Sequence, residues 1–137
     1  DSDEVTRMDH KKRILAVDDD LLFLKILNEW FVFKNYDIST SNSGEKVMEL
    51  LEKDTYDAIL LDVMMRHANG LDVLAQIKQN AKTKEIPVFI ISQIGEDEHK
   101  TRAKELGAEE YLVKSNFSLK ELTQKVDSAI EAYQKRK

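Results

Sequence analysis

Ile14-Leu15-Ala16-Val17-Asp18-Asp19-Asp20 and Ala58-Ile59-Leu60-Leu61-Asp62 share one pattern, an unbroken apolar run that ends in carboxylates. A continuous apolar run of this length suits a strand covered on both faces, as in a parallel sheet between layers of helices. Three more short runs extend the series: Tyr36-Asp37-Ile38-Ser39-Thr40, Val88-Phe89-Ile90-Ile91 and Tyr111-Leu112-Val113. The Tyr36 run is the most polar and reads as an edge strand, whereas the other four read as buried ones. Helical periodicity fills the gaps, at 21–34, 44–53, 70–80, 96–106 and 118–135. Ser118-Leu119-Lys120-Glu121 is a capping box, and Leu119, Leu122, Val126, Ile130 and Tyr133 then mark one helix face. Gly107 stands where a left-handed helix stop is expected. Strict strand–helix alternation with short connections predicts an open α/β sheet with right-handed crossovers.

Composition narrows the function. The 137 residues suit one domain, and 42% of them are hydrophobic, enough for a packed core. Lys and Arg number 21 against 26 Asp and Glu, a net charge of −5 that supplies no attraction to nucleic acid or an anionic membrane. With no cysteine, disulfides, thiolate metal sites and cysteine nucleophiles are excluded. No apolar run approaches the roughly 20 residues of a membrane span, and no secretory signal opens the sequence. A soluble cytoplasmic domain over residues 11–137 is expected. Residues 1–10 read as a flexible N-terminal tail, with Met8 as an ordinary start.

In open α/β sheets, ligands bind beyond the carboxyl ends of the strands, where strand order reverses. The first strand here runs into Asp18-Asp19-Asp20 and the third into Asp62; the fourth ends at Ser92 and the fifth at Lys114. If strands one and three are neighbours, at least three carboxylates meet in one crevice, and such charges do not all stay ionised unaided. A hard divalent cation with oxygen ligands resolves the conflict, and Mg2+ suits a site of few carboxylates, with Mn2+ as an alternative. Asp62 is then the candidate nucleophile for an acyl phosphate. Lys114 would neutralise charge on the transferring phosphoryl group and Ser92 would hydrogen-bond one of its oxygens. Asp20, just before the first helix, reads as its N-cap instead. His10, His67 and His99 lack metal-ligand spacing and read as exposed tail, loop or helix residues.

On these residues the sequence resembles the response-regulator receiver domain of two-component signalling, over about residues 11–135. Ile14 to Asp20 is similar to the family's acidic segment, Leu60-Leu61-Asp62-Val63-Met64-Met65 with Gly70 to its phosphoacceptor strand, Pro87 to Ser92 to its hydroxyl strand, and Gly107 to Lys114 to its lysine strand. The resemblance implies a flavodoxin-like doubly wound sheet of five parallel strands, order 2-1-3-4-5, with five helices. It implies phosphorylation of Asp62 by a sensor histidine kinase or a histidine phosphotransfer protein. Asp19 would bind Mg2+ directly, Asp18 would help through water, and the backbone carbonyl of Met64 would complete the set. Ser92 would move toward the phosphoryl group and Tyr111 would change rotamer with it, altering the surface of the fourth helix and fifth strand for an output partner or a missing output domain. Three positions depart from the family pattern. Arg66 stands where proline is common, Gln93 replaces a small residue and narrows access, and Ser115 replaces the proline after the lysine. A cis bond before Ser115 would cost roughly 2.5–4 kcal/mol, so either the site holds strain or that loop takes another path.

Elsewhere, Leu21, Leu22 and Val32 share an arc of the first helix with its polar residues, either as scattered surface apolars or as a flank on which a kinase helix docks. Trp30, Phe31 and Phe33 are expected in the core. The fourth helix has little apolar surface beyond Ala103 and Leu106, which suits an element that shifts on signalling. Met64 and Ile94 are apolar at the two modulating positions near the phosphorylation site, so neither orients a hydrolytic water and the phosphoryl group should be long-lived.

Three other functions compete with the switch. An aspartyl phosphatase, distantly resembling the haloacid-dehalogenase pattern, lacks that family's usual residue at Leu22 and the length for its larger core and cap. A flavin carrier lacks a phosphate loop after the first strand. A phosphorylation-independent interaction module on the same fold has no need of Asp62, Asp19 and Lys114.

Overall fold

The computed structural model describes residues 11–136, so the tail expected over residues 1–10 lies outside the described residues. Five strands, β1 (Arg13–Val17), β2 (Asp37–Ser41), β3 (Ala58–Leu61), β4 (Val88–Ser92) and β5 (Glu110–Val113), alternate with five helices. The helices are α1 (Leu21–Phe33), α2 (Val47–Lys53, after a short turn at Gly44–Lys46), α3 (Gly70–Gln79), α4 (Asp97–Glu105) and α5 (Leu119–Arg136). All strand pairs are parallel and the sheet order is β2-β1-β3-β4-β5, as the resemblance implies.

The apolar runs explain the layering. Alternate residues of each central strand face opposite sides, because strand side chains alternate with a period of two. Ile14, Ala16, Ala58, Leu60, Phe89 and Ile91 pack under Leu24, Leu27 and Phe31 of α1 and Leu122, Val126 and Ile130 of α5. Leu15, Val17, Ile59, Leu61, Val88 and Ile90 pack under Val47 and Leu51 of α2, Leu74 and Ile77 of α3, and Ala103 of α4. With both faces covered, β1, β3 and β4 have no polar side to offer, which is why their sequences do not alternate.

The helix ends behave as their chemistry dictates. Asp20 caps α1 by accepting from the Leu22 and Phe23 amides, at 3.1 and 3.2 Å. The Ser118 hydroxyl accepts from the Glu121 amide at 3.1 Å, the capping bond expected at the start of α5, and it also donates to the Glu121 carboxylate at 3.4 Å. Gly107 adopts φ +99° beyond α4 while the Ala108 amide closes back on the Ala103 carbonyl at 2.9 Å. α4 itself buries only Ala103.

Four expectations are corrected. β5 is an edge strand with Leu112 alone buried, because only β4 flanks it. Phe33 is 76% exposed, since it falls out of phase with Leu24, Leu27 and Phe31 on α1. Trp30 is half-buried, its indole donating to the Thr123 hydroxyl at 2.7 Å, so Phe31 alone of the three aromatics reaches the core in full. His99 is half-buried rather than exposed, whereas His67 is exposed and His10 lies outside the described residues. After β5 the chain makes a short helical turn at Lys114–Asn116, with no cis peptide among the described residues, so the loop follows the other of the two expected paths.

Candidate functional site

Register places the acids. Val17 of β1 pairs with Leu61 of β3, and the Asp62 amide donates to the Val17 carbonyl at 3.0 Å, so Asp18 and Asp62 leave the sheet as neighbours. Leu61 pairs in turn with Ile90, and Ser92 with Val113, which sets Ser92 and Lys114 at the same edge. All five candidate groups therefore lie at the carboxyl ends of strands.

Each of Asp18, Asp19 and Asp62 offers a carboxylate oxygen within 4.8 Å of the others. Asp18 and Asp62 are buried and Asp19 is half-buried. Asp18 is held on both oxygens, accepting from the Asp20 amide at 2.9 Å and pairing with the Lys114 ammonium at 2.8 Å. Asp19 accepts from the Arg66 amide at 2.9 Å, and Asp62 accepts from the Met64 amide at 3.4 Å. Burial, reinforced by the charge on Asp18 and opposed by Lys114 and the Met64 amide, raises the Asp62 carboxyl to about 7. Three acids against one lysine, in a place this dry, leave negative charge uncompensated.

The loop after Asp62 is fixed by a close approach. Met64 bridges Asn69, the Gly70 amide donates to the Val63 carbonyl at 2.7 Å, and Asn69 caps α3 through the Leu71 amide at 2.8 Å. A Cβ at Gly70 would stand 1.9 Å from the Asp62 carbonyl oxygen, so only glycine fits. Met64 itself is exposed.

Ser92 is buried, and its hydroxyl accepts from the Ile94 amide at 3.2 Å. The Tyr111 hydroxyl donates to the Ile94 carbonyl at 2.5 Å, tying β5 to the loop that follows Ser92. Burial raises the Tyr111 phenol above its ordinary value; the Ser92 hydroxyl opposes this, and the charges of Asp62 and Glu96 add to it.

Two contacts escaped the sequence reading. Phe23, the third residue of α1, presents its ring 4.4 Å from the Lys114 ammonium. Arg66 contributes a backbone N–H that a proline there would lack, and the only sequence signal for it is that the residue is not proline. Lys114 itself stands at the acidic cluster, paired with Asp18.

The donor set is all oxygen and in charge excess, which fits a hard divalent cation such as Mg2+ in composition. A carboxylate held beside such a cluster can take up an electrophilic phosphoryl group.

Comparisons with known proteins identify the family and the fold. The family model for the response regulator receiver domain matches residues 14–127. The transcriptional regulatory protein CpxR of Escherichia coli (strain K12) is 34% identical over 114 residues, covering 83% of this chain and 47% of CpxR. The chain thus spans about half the length of such curated relatives. A receiver domain protein (CheY-like) from Methanospirillum hungatei JF-1 superposes with a TM-score of 0.87 at 19% identity, over 93% of this chain and all of that one. A putative response regulator from Chloroflexus aurantiacus J-10-fl gives 0.83 at 26% identity, over 89% and 99%.

Proposed function

As the chain belongs to the response regulator receiver domain family, we propose that it is a phosphorylation-dependent signalling switch with Asp62 as phosphoacceptor. The observation that carries this reading is the buried three-carboxylate cluster with Lys114 at its side. The Asp62 carboxylate attacks phosphorus in a phosphohistidine of a sensor kinase or phosphotransfer protein. An O–P bond forms on Asp62, the N–P bond breaks, and the imidazole leaves with the electron pair and takes a proton. Asp18, Asp19, Asp62 and the Met64 backbone carbonyl would hold Mg2+, which when bound would supply positive charge to offset the phosphoryl oxygens. Lys114 exchanges its Asp18 partner for a phosphoryl oxygen, and Ser92 gives its hydroxyl proton to another.

The change then reaches the surface through a short chain of bonds. Ser92 and Tyr111 both hydrogen-bond the backbone of Ile94. Movement of Ser92 toward the phosphoryl group therefore displaces the acceptor of the Tyr111 phenol. α4, anchored by one buried alanine, yields most easily. Exposed Leu21 and Leu22, which follow the acidic run directly, and exposed Met64, two residues after Asp62, give a partner helix apolar footing beside the acceptor. Leu21→Lys should then slow transfer from the cognate kinase without unfolding the domain. An unchanged rate would leave these residues as scattered surface apolars.

Acetyl phosphate with Mg2+, followed by intact mass, tests the reading. A phosphoryl adduct that is lost in Asp62→Asn is expected, with a half-life of minutes to hours because Met64 and Ile94 cannot orient water. An adduct that persists in Asp62→Asn excludes Asp62 as acceptor. Steady release of phosphate with no adduct favours the phosphatase, and no reaction at all favours a phosphorylation-independent module.

A further inference from the structure

The Lys114 ammonium has two neighbours of different kinds, the Asp18 carboxylate at 2.8 Å and the face of the Phe23 ring at 4.4 Å from its centroid. Its side chain is only 13% exposed, so both act in a poorly solvated place. The carboxylate is an unreliable anchor, because Asp18 belongs to the acidic cluster. A divalent cation in that cluster draws on the same carboxylate and repels the ammonium. The ion pair therefore weakens when the lysine is needed. The ring offers no lone pair to a hard cation, so its attraction for the ammonium survives.

We propose that Phe23 is a positioning residue that keeps the Lys114 ammonium at the site when the acidic cluster holds a divalent cation. This rests on the reading of that cluster as the Mg2+ and phosphoacceptor site. Phe23 is well placed for the task. It sits in the first turn of α1, which Asp20 caps, and its half-buried ring packs against the apolar layer beneath the sheet. The other lysine–ring contacts in the described residues, Lys34 over Trp30 and Phe33, lie at the far end of α1, where Lys34 and Phe33 are exposed.

Replacing Phe23 by mono-, di- and trifluorophenylalanine tests this without removing the ring, since fluorine drains charge from the face and leaves the shape nearly intact. With saturating Mg2+ and acetyl phosphate, the rate of adduct formation should fall stepwise, reaching about fivefold in the trifluoro variant. Phe23→Trp should retain the rate and Phe23→Leu should lose as much as the trifluoro ring. Equal rates across the fluorine series would overturn the proposal. A second readout does not depend on phosphorylation. Ring current shifts the Lys114 ε-protons upfield in the nuclear magnetic resonance spectrum, and that shift should persist on adding Mg2+. Its collapse, while the Asp18 and Asp19 amides report Mg2+ binding, would overturn the role of Phe23 and leave the site standing. Absence of any Mg2+ response at those amides would overturn the reading of the site itself.

Discussion

The two edges of the sheet treat their carboxylates in opposite ways. Where the strands begin, Arg13 serves three of them: its amide donates to Asp57 at 2.8 Å and its guanidinium reaches Asp37 and Asp54 at 3.1 and 3.5 Å. Nearby, Asp127 takes the Lys12 ammonium at 3.2 Å and the Tyr36 hydroxyl. Where the strands end, three acids crowd together, Lys114 pairs with one of them, and Asp62 is raised to about 7. At the first edge each of these acids has a partner. The second leaves its electrostatics unfinished, and perturbed groups of that kind mark sites of function.

The functional edge is most sensitive to substitution at Gly70. Gly70→Ala drives a methyl into the Asp62 carbonyl, a contact of 1.9 Å with backbone that has no room to yield. Overpacking alone costs about 1–3 kcal/mol, and a backbone overlap this close should bring the loss in a urea titration to about 3 kcal/mol or more. A loss under about 1 kcal/mol would mean that the loop relaxes freely. At the opposite edge, Asp57→Ala leaves the half-buried Arg13 amide without its acceptor. That should cost about 1–3 kcal/mol, with no change in Mg2+ affinity.

What the sequence disclosed and what it hid follow from the same contrast. Central strands were legible because burial on both faces forces an unbroken apolar run, as in Ile14–Val17 and Ala58–Leu61. The acids were legible because sheet topology carries every strand end to one edge. Tyr111–Val113 misled because exposure at an edge depends on strand order, which a local run does not encode. Phe33 misled because an aromatic near a helix end can fall on either arc, and only the phase set by Leu24, Leu27 and Phe31 decides. Phe23 had no signature, since an aromatic in a first turn reads as ordinary packing. The Arg66 amide had only the weak signal of a residue other than proline, because a backbone donor belongs to every residue except proline.

That amide supplies a smaller test at the functional edge. Arg66→Pro removes the donor to Asp19 and should weaken folding by about 0.5–1.5 kcal/mol, whereas Arg66→Ala keeps the N–H and should match the wild type. Equal losses in the two variants would shift the effect from the amide to the arginine side chain.

Folding strands negative charge at the acceptor. Because the folded carboxyl of Asp62 is raised from the usual 3.8 to about 7, its favourable contribution is complete below 3.8 and is lost as pH rises through about 7. The direct measurement is the unfolding midpoint of wild type against Asp62→Asn, from about pH 5 to about pH 8, with and without Mg2+. Without Mg2+ the wild type should fall progressively below Asp62→Asn as pH rises, and added Mg2+ should close that gap. Parallel profiles, or equal stabilisation of both proteins by Mg2+, would contradict the account.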